Sequence, residues 1–288
     1  MQPAGSAPAH PSADPSAPGP HPVAYSEVRV EAAGRSFTAR VWYPGSAAGK
    51  DKPVASGAHP ALAFGHGFLQ GVSKYESLVR HYASWGLISV APTSHGGPFP
   101  HHSRFADDLN AALTWLMAQN GTDGSLFENA VATRQLALSG HSMGAGSAIL
   151  AAQRNPAVTT LSLLAAAETN PSAATAAAQL AAPAQFLAGS DDTIARPEQH
   201  QRKIYAAKPA PTQLRTVHGG FHCGFMDSGG LGCDSGAVSR QEQLRLTRGM
   251  TTAWLLYHLR GEQSWYDQVW GAGAQSLPGV DYEAKLAL

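Results

Sequence analysis

Gly140-His141-Ser142-Met143-Gly144 sets a serine between two glycines, each two residues away. A strand-like apolar run, Leu136–Ser139, precedes it, and an alanine-rich helical pattern, Ala145–Gln153, follows. A serine hydroxyl is a useful nucleophile only when it is held clear of the chain and given a base. A sharp strand–turn–helix connection meets the first need. Its flanking residues must be small, because a Cβ at either position collides across the turn. The same turn leaves the serine beside unpaired N–H groups at the helix start. The Met143 N–H, directly after the serine, is then one donor for a developing oxyanion.

The partners of such a serine follow it in the order acid, then histidine, each on a loop after a later strand. The strand-like Ala184–Ala188 leads into Gly189-Ser190-Asp191-Asp192-Thr193-Ile194. Asp192 is the expected acid and Asp191 the alternative, since either also suits a turn. Gln213–Val217 leads into His218-Gly219-Gly220-Phe221-His222-Cys223. His222 is the expected base, because it lies beyond the two glycines. His218 reads as a strand-end residue. The second oxyanion donor is expected at the Phe68 N–H, in Gly65-His66-Gly67-Phe68, with His66 stabilising that loop. Phe68, His141, Met143 and Phe221 are expected to line the substrate cleft.

Positioning these loops requires strands and helices in alternation. Tyr25–Ala32 and Ser36–Tyr43 flank Ala33-Gly34-Arg35 and predict a β-hairpin. From Ala61 onward the pattern alternates: strands at 61–64, 87–91, 136–139, 161–165, 184–188 and 213–217, and helices at 75–85, 104–119, 145–153, 197–207 and 239–259. An alanine-rich helical stretch is also expected between 165 and 184. The pattern predicts an α/β fold, a mostly parallel sheet with helices on both faces and an antiparallel hairpin at its N-terminal edge. Residues 1–24, rich in Pro, Ala and Ser, are expected to form a disordered leader, with His10 and His21 solvated. Residues 25–288 are expected to form one catalytic domain, its tail anchored by Trp265, Tyr266 and Trp270.

Composition narrows the partners. Basic and acidic residues balance at 20 each, and 43% of the 288 residues are hydrophobic. This chain has no basic excess for nucleic acid and no uninterrupted apolar run long enough to span a membrane. Cys223 and Cys233 enclose a glycine-rich loop. A bridge between them predicts a secreted or periplasmic protein, whose mature chain here carries an added start Met; two free thiols would fit a cytosolic enzyme.

At these motifs the chain resembles the α/β-hydrolase superfamily, and within it the cutinase and polyester-hydrolase branch, with dienelactone-hydrolase-like and chlorophyllase-like esterases as neighbours. Gly140–Gly144 is similar to that branch's nucleophile motif. Gly67-Phe68 falls at its oxyanion aromatic, Asp192-Thr193-Ile194-Ala195 at its acid loop and Gly220-Phe221-His222 at its base loop. Ser103–Leu113 resembles its helix before the elbow strand. The resemblance implies a serine carboxylic-ester hydrolase, needing no cofactor or metal, acting as a monomer on small-molecule or polymeric esters. Two features depart from it. Ala165–Pro171 lacks the Trp that many polyester hydrolases carry after the corresponding strand, and the short Cys223–Cys233 spacing differs from the branch's usual disulfide. Two other readings compete: a metal-dependent hydrolase using His95, His101, His102 and Asp107, and a binding module on an inactive hydrolase scaffold.

Overall fold

Each central strand alternates its side chains between two apolar layers. In β4 (His59–Gly65), Ala61 and Ala63 join one hydrophobic cluster, while Leu62 and Phe64 join the other. In β6 (Val131–His141), Leu136 and Leu138 separate from Ala137 in the same way. Burial on both faces is what a parallel sheet covered by helices requires. The computed structural model describes residues 13–32 and 34–286 of the chain.

The remaining strands are β1 (Val23–Ala32), β2 (Arg35–Pro44), β3 (Gly49–Lys50), β5 (Ile88–Pro92), β7 (Val158–Leu164), β8 (Ala184–Gly189), β9 (Thr212–Val217) and β10 (Val280–Lys285). They form one sheet in the order β10-β9-β8-β7-β6-β4-β5-β2-β1-β3. The run from β9 to β5 is parallel. The β1–β2 hairpin joins it antiparallel through β5, as its sequence predicts. The helices are α1 (Glu76–Ser84), α2 (His102–Asn120), α3 (Met143–Arg154), α4 (Ala173–Ala177), α5 (Gln201–Ala207), α6 (Arg240–Arg260), α7 (Tyr266–Val269) and α8 (Ala272–Gln275). Helices α2 to α5 cover one face, and α1 and α6 the other.

Helix α6 shows how local signals set boundaries. Ser239 caps its start by accepting from Glu242 N–H (3.2 Å), and Gly261, at φ 68°, ends it in the left-handed region. In its buried centre, Trp254 Nε1 donates to Thr160 Oγ1 of β7 at 2.8 Å.

Several expectations need correction. Residues 13–24 do not form part of a disordered leader. Residues 1–12, with His10, lie outside the described residues, but Asp14–Pro22 packs on α1. His81 Nε2 donates to Pro15 O (2.8 Å), Trp85 Nε1 to Ala17 O (3.0 Å), and Gly19 N–H to Ser84 Oγ (2.9 Å). His21 is half-buried, with its ring edge-on to His59. The alanine-rich stretch yields only the five residues of α4, because Pro171 bars an earlier start and Ser172 caps it. Strand β9 is not the last. The polar β10 pairs antiparallel with it at the sheet edge. Trp265 and Trp270 are buried, but Tyr266 is exposed.

Candidate active site

The centre of the sheet builds the turn around Ser142. Strand β6 ends at His141 and α3 begins at Met143, so one residue reverses the chain. Ser142 holds φ 56° and ψ −123°, a strained conformation for a residue with a side chain. Its N–H donates to Leu164 O, and its carbonyl accepts from Gly146 and Ala167 N–H. A Cβ on Gly140 would sit 2.7 Å from Gly65 O, and one on Gly144 would collide with the same carbonyl. Both glycines are therefore required by the close approach of β4's last residue.

The residues expected as acid and base, Asp192 and His222, lie on the loops after β8 and β9. Asp192 is buried. Its Oδ1 accepts from Ile194 N–H (2.9 Å) and Ala195 N–H (2.7 Å), which turns Oδ2 to His222 Nδ1 at 2.7 Å. Asp191 points elsewhere, accepting from Ser190 Oγ and Ala237 N–H. His218 is also outside the site, exposed and paired with Asp281 on β10 at 2.7 Å.

The backbone of the loop that carries His222 is tied on several sides. Asp234 accepts from His222 N–H (2.9 Å) and Cys223 N–H (3.0 Å), and from Thr193 N–H on the acid loop (3.2 Å). The Gln243 amide pairs with both backbone groups of Phe221. Arg240 donates to Cys223 O and Met226 O. Cys223 and Cys233 form a disulfide, with Cα atoms 5.7 Å apart. Asp234, Arg240 and Gln243 were not legible as site residues. The only signal for Asp234 was a carboxylate beside the second cysteine.

Ser142 and His222 line one cavity of about 230 Å³. Its wall includes Gly67–Gln70, His141, Ile194, Met226 and the disulfide loop at Cys223 and Leu231–Cys233. Phe68 and His141 stand where the sequence predicts. Met143 and Phe221 do not line the cavity, and both side chains are buried. Met143 opens α3 with its side chain turned inward, and the Phe221 ring lies under the Arg240 guanidinium (5.5 Å). Leu69, Ile194, Met226 and Leu231 were not anticipated. Among the described residues, no Lys, Arg, Asp or Glu lines the cavity.

The histidine-rich loop is not gathered into a site. His95 faces Asp108 (3.3 Å), His102 Nδ1 faces the backbone of Asn170, and Asp107 pairs with Arg154 (2.7 Å). Among the described residues, no group of three or more His, Cys, Asp or Glu side chains is arranged to hold a metal. Glu168, in the segment without a Trp, caps α4 by accepting from Ala174 N–H and Ser172 Oγ. Among the described residues, no helix is long and apolar enough to cross a membrane.

A parallel sheet with this strand order, a strained serine between its central strand and the next helix, and partner loops after later strands define an α/β-hydrolase fold. The chain belongs to the PET hydrolase-like family, which matches residues 2–229. It is a hydrolase on that ground. No curated protein matches it.

Proposed function

We propose that this hydrolase is a serine carboxylic-ester hydrolase. Ser142 Oγ attacks the ester carbonyl carbon as His222 Nε2 takes the hydroxyl proton. His222 Nδ1–H stays on Asp192 Oδ2, which orients the ring and stabilises the imidazolium. The Met143 and Phe68 N–H groups receive the oxyanion. Gly67 N–H is already committed to the Tyr75 hydroxyl, which leaves Phe68 as the donor of that loop. The tetrahedral intermediate collapses, and His222 returns the proton to the departing alkoxide. The acyl group remains on Ser142 Oγ. Water, deprotonated by His222, attacks the acyl carbon and frees the carboxylic acid and the serine. The sequence requires no cofactor.

The observation that carries this reading is the His222–Asp192 contact beside a serine at positive φ in the same cavity. The substrate class rests on the wall. A lining without formal charges suits neutral esters. Phe68, Leu69, Ile194 and Leu231 stand exposed around the cavity, which suits a hydrophobic chain reaching beyond it. Short-chain and polymeric esters fit this geometry better than long triglycerides. The disulfide supports a secreted protein.

Hydrolysis of p-nitrophenyl esters from C2 to C12 tests the reading. Rates are expected to peak at short chains, and Ser142→Ala is expected to lower turnover by ~10⁴-fold or more. A maximum at the longest chain would contradict the substrate class.

A further inference from the structure

A chain of buried polar groups crosses the site without belonging to the triad. Gly67 N–H donates to the Tyr75 hydroxyl at 3.0 Å. That hydroxyl lies 2.8 Å from His141 Nδ1. His141 Nε2 lies 3.2 Å from the backbone carbonyl oxygen of His222. Tyr75 and His141 are each only 1% exposed, so water cannot stand in for a lost partner.

The protons distribute in one way that satisfies every group. The His222 carbonyl can only accept, so His141 Nε2 carries the ring hydrogen. The Tyr75 oxygen accepts from Gly67 and sends its own proton to His141 Nδ1, which accepts as part of a neutral ring. Burial holds the His141 imidazole well below its usual range, and the neighbouring His222 ring, 4.5 Å away between centroids, pushes it the same way. An imidazolium would turn Nδ1 into a donor and leave the Tyr75 proton unpaired. The chain therefore runs in one direction, from the loop after β4, through the residue preceding Ser142, to the backbone of the base.

Each end adjoins a working group. Gly67 immediately precedes Phe68, His141 precedes Ser142, and the last acceptor is His222's own carbonyl. Gly67 is needed for the approach: a Cβ there would lie 2.9 Å from Tyr75 Oη and 3.1 Å from His141 Nδ1. We infer that Tyr75 and His141 are positioning residues, a hydrogen-bonded brace that holds the oxyanion loop, the serine turn and the base loop in mutual register. The inference rests on the serine-hydrolase reading above.

Tyr75→Phe tests it with the smallest change, keeping the ring against Phe64 and removing only the hydroxyl. With p-nitrophenyl butyrate, kcat is expected to fall on the order of 10-fold, with KM changed by less than about twofold. Two histidine variants divide the brace. His141→Asn can offer an amide oxygen near the Nδ1 position but is too short to reach the His222 carbonyl. His141→Gln can offer an amide N–H near the Nε2 position but loses the acceptor for Tyr75. Tyr75→Phe and His141→Gln break the same link, so their combined loss should not exceed the larger single one. Tyr75→Phe with His141→Asn breaks both links, and those losses should multiply. A folded Tyr75→Phe protein with unchanged kcat overturns the brace, whether or not the histidine variants fold. If Ser142→Ala kept its activity, the underlying hydrolase reading would fall instead, so the two failures are distinct.

Discussion

Asp192 and Asp191 are adjacent carboxylates with different work. Asp192 spends one oxygen on the N–H groups of its own turn and aims the other at His222. Asp191 secures Ala237 and Ser190. Asp192→Asn should therefore lower kcat/KM for a soluble ester by ~10³–10⁴-fold, because an amide can favour the wrong imidazole tautomer. Asp191→Asn should leave it within a few-fold of wild type, by the same steady-state assay. Equal losses in the two variants would contradict the assignment of the acid. From sequence, these two residues were separable only weakly, since both sit in one turn-forming run. Serine and histidine were plainer, because glycines mark both turns. Side-chain direction was not legible: Met143 and Phe221 occupy loop positions that suggest a cleft, yet the first helical turn and the Arg240 contact turn them inward.

At the scale of elements, the loop closed by Cys223 and Cys233 forms one side of the cavity wall. It carries Leu231, whose side chain is fully exposed while lining the mouth. Such a residue has nothing to pack against in the free protein, but it can contact an ester chain that extends past the cavity. Leu231→Ser is expected to reduce release of soluble product from an aliphatic polyester film by ~5–10-fold, as lost apolar contact of about 1–1.4 kcal/mol would do. Hydrolysis of p-nitrophenyl acetate should be unchanged. Parallel losses on both substrates would mean that the loop acts on the base and not on the extended chain. This loop was visible in the sequence as a glycine-rich run between cysteines, but its place over the cavity depends on long-range packing. Strand β10 was illegible for a related reason. Only Val280 of its residues is buried, so no apolar alternation announces it.

The molecule as a whole is two apolar layers on one twisted sheet, and that much could be read from alternating patterns alone. Strands 61–64 and 184–188 emerged within two residues of their observed ends, because buried parallel strands are continuous apolar runs between glycines and prolines. The attachment of the N-terminal segment could not be read. It depends on individual hydrogen bonds that His81 and Trp85 donate to, and Ser84 accepts from, a stretch with few apolar anchors. This attachment also bears on acid stability. Burial pushes His81 and His258 down to about 4, from an ordinary value of 6.5. Between those values the unfolded chain binds more protons than the folded one, so stability is full above 6.5 and falls as pH drops towards 4. The melting temperature should decline over this window. In His258→Phe, where an aromatic ring remains among Trp254, Tyr257 and Trp270, the decline should be shallower. An identical slope by circular dichroism would count against a neutral buried His258.

Covalent trapping addresses the central claim most directly. Wild-type protein would be treated with a fluorophosphonate, digested and mapped by mass spectrometry, with p-nitrophenyl butyrate turnover measured on the same sample. The expected result is one adduct, on Ser142, forming in step with loss of turnover and absent from Ser142→Ala. Full turnover in Ser142→Ala, or inactivation with the adduct on another residue, would contradict Ser142 as the nucleophile.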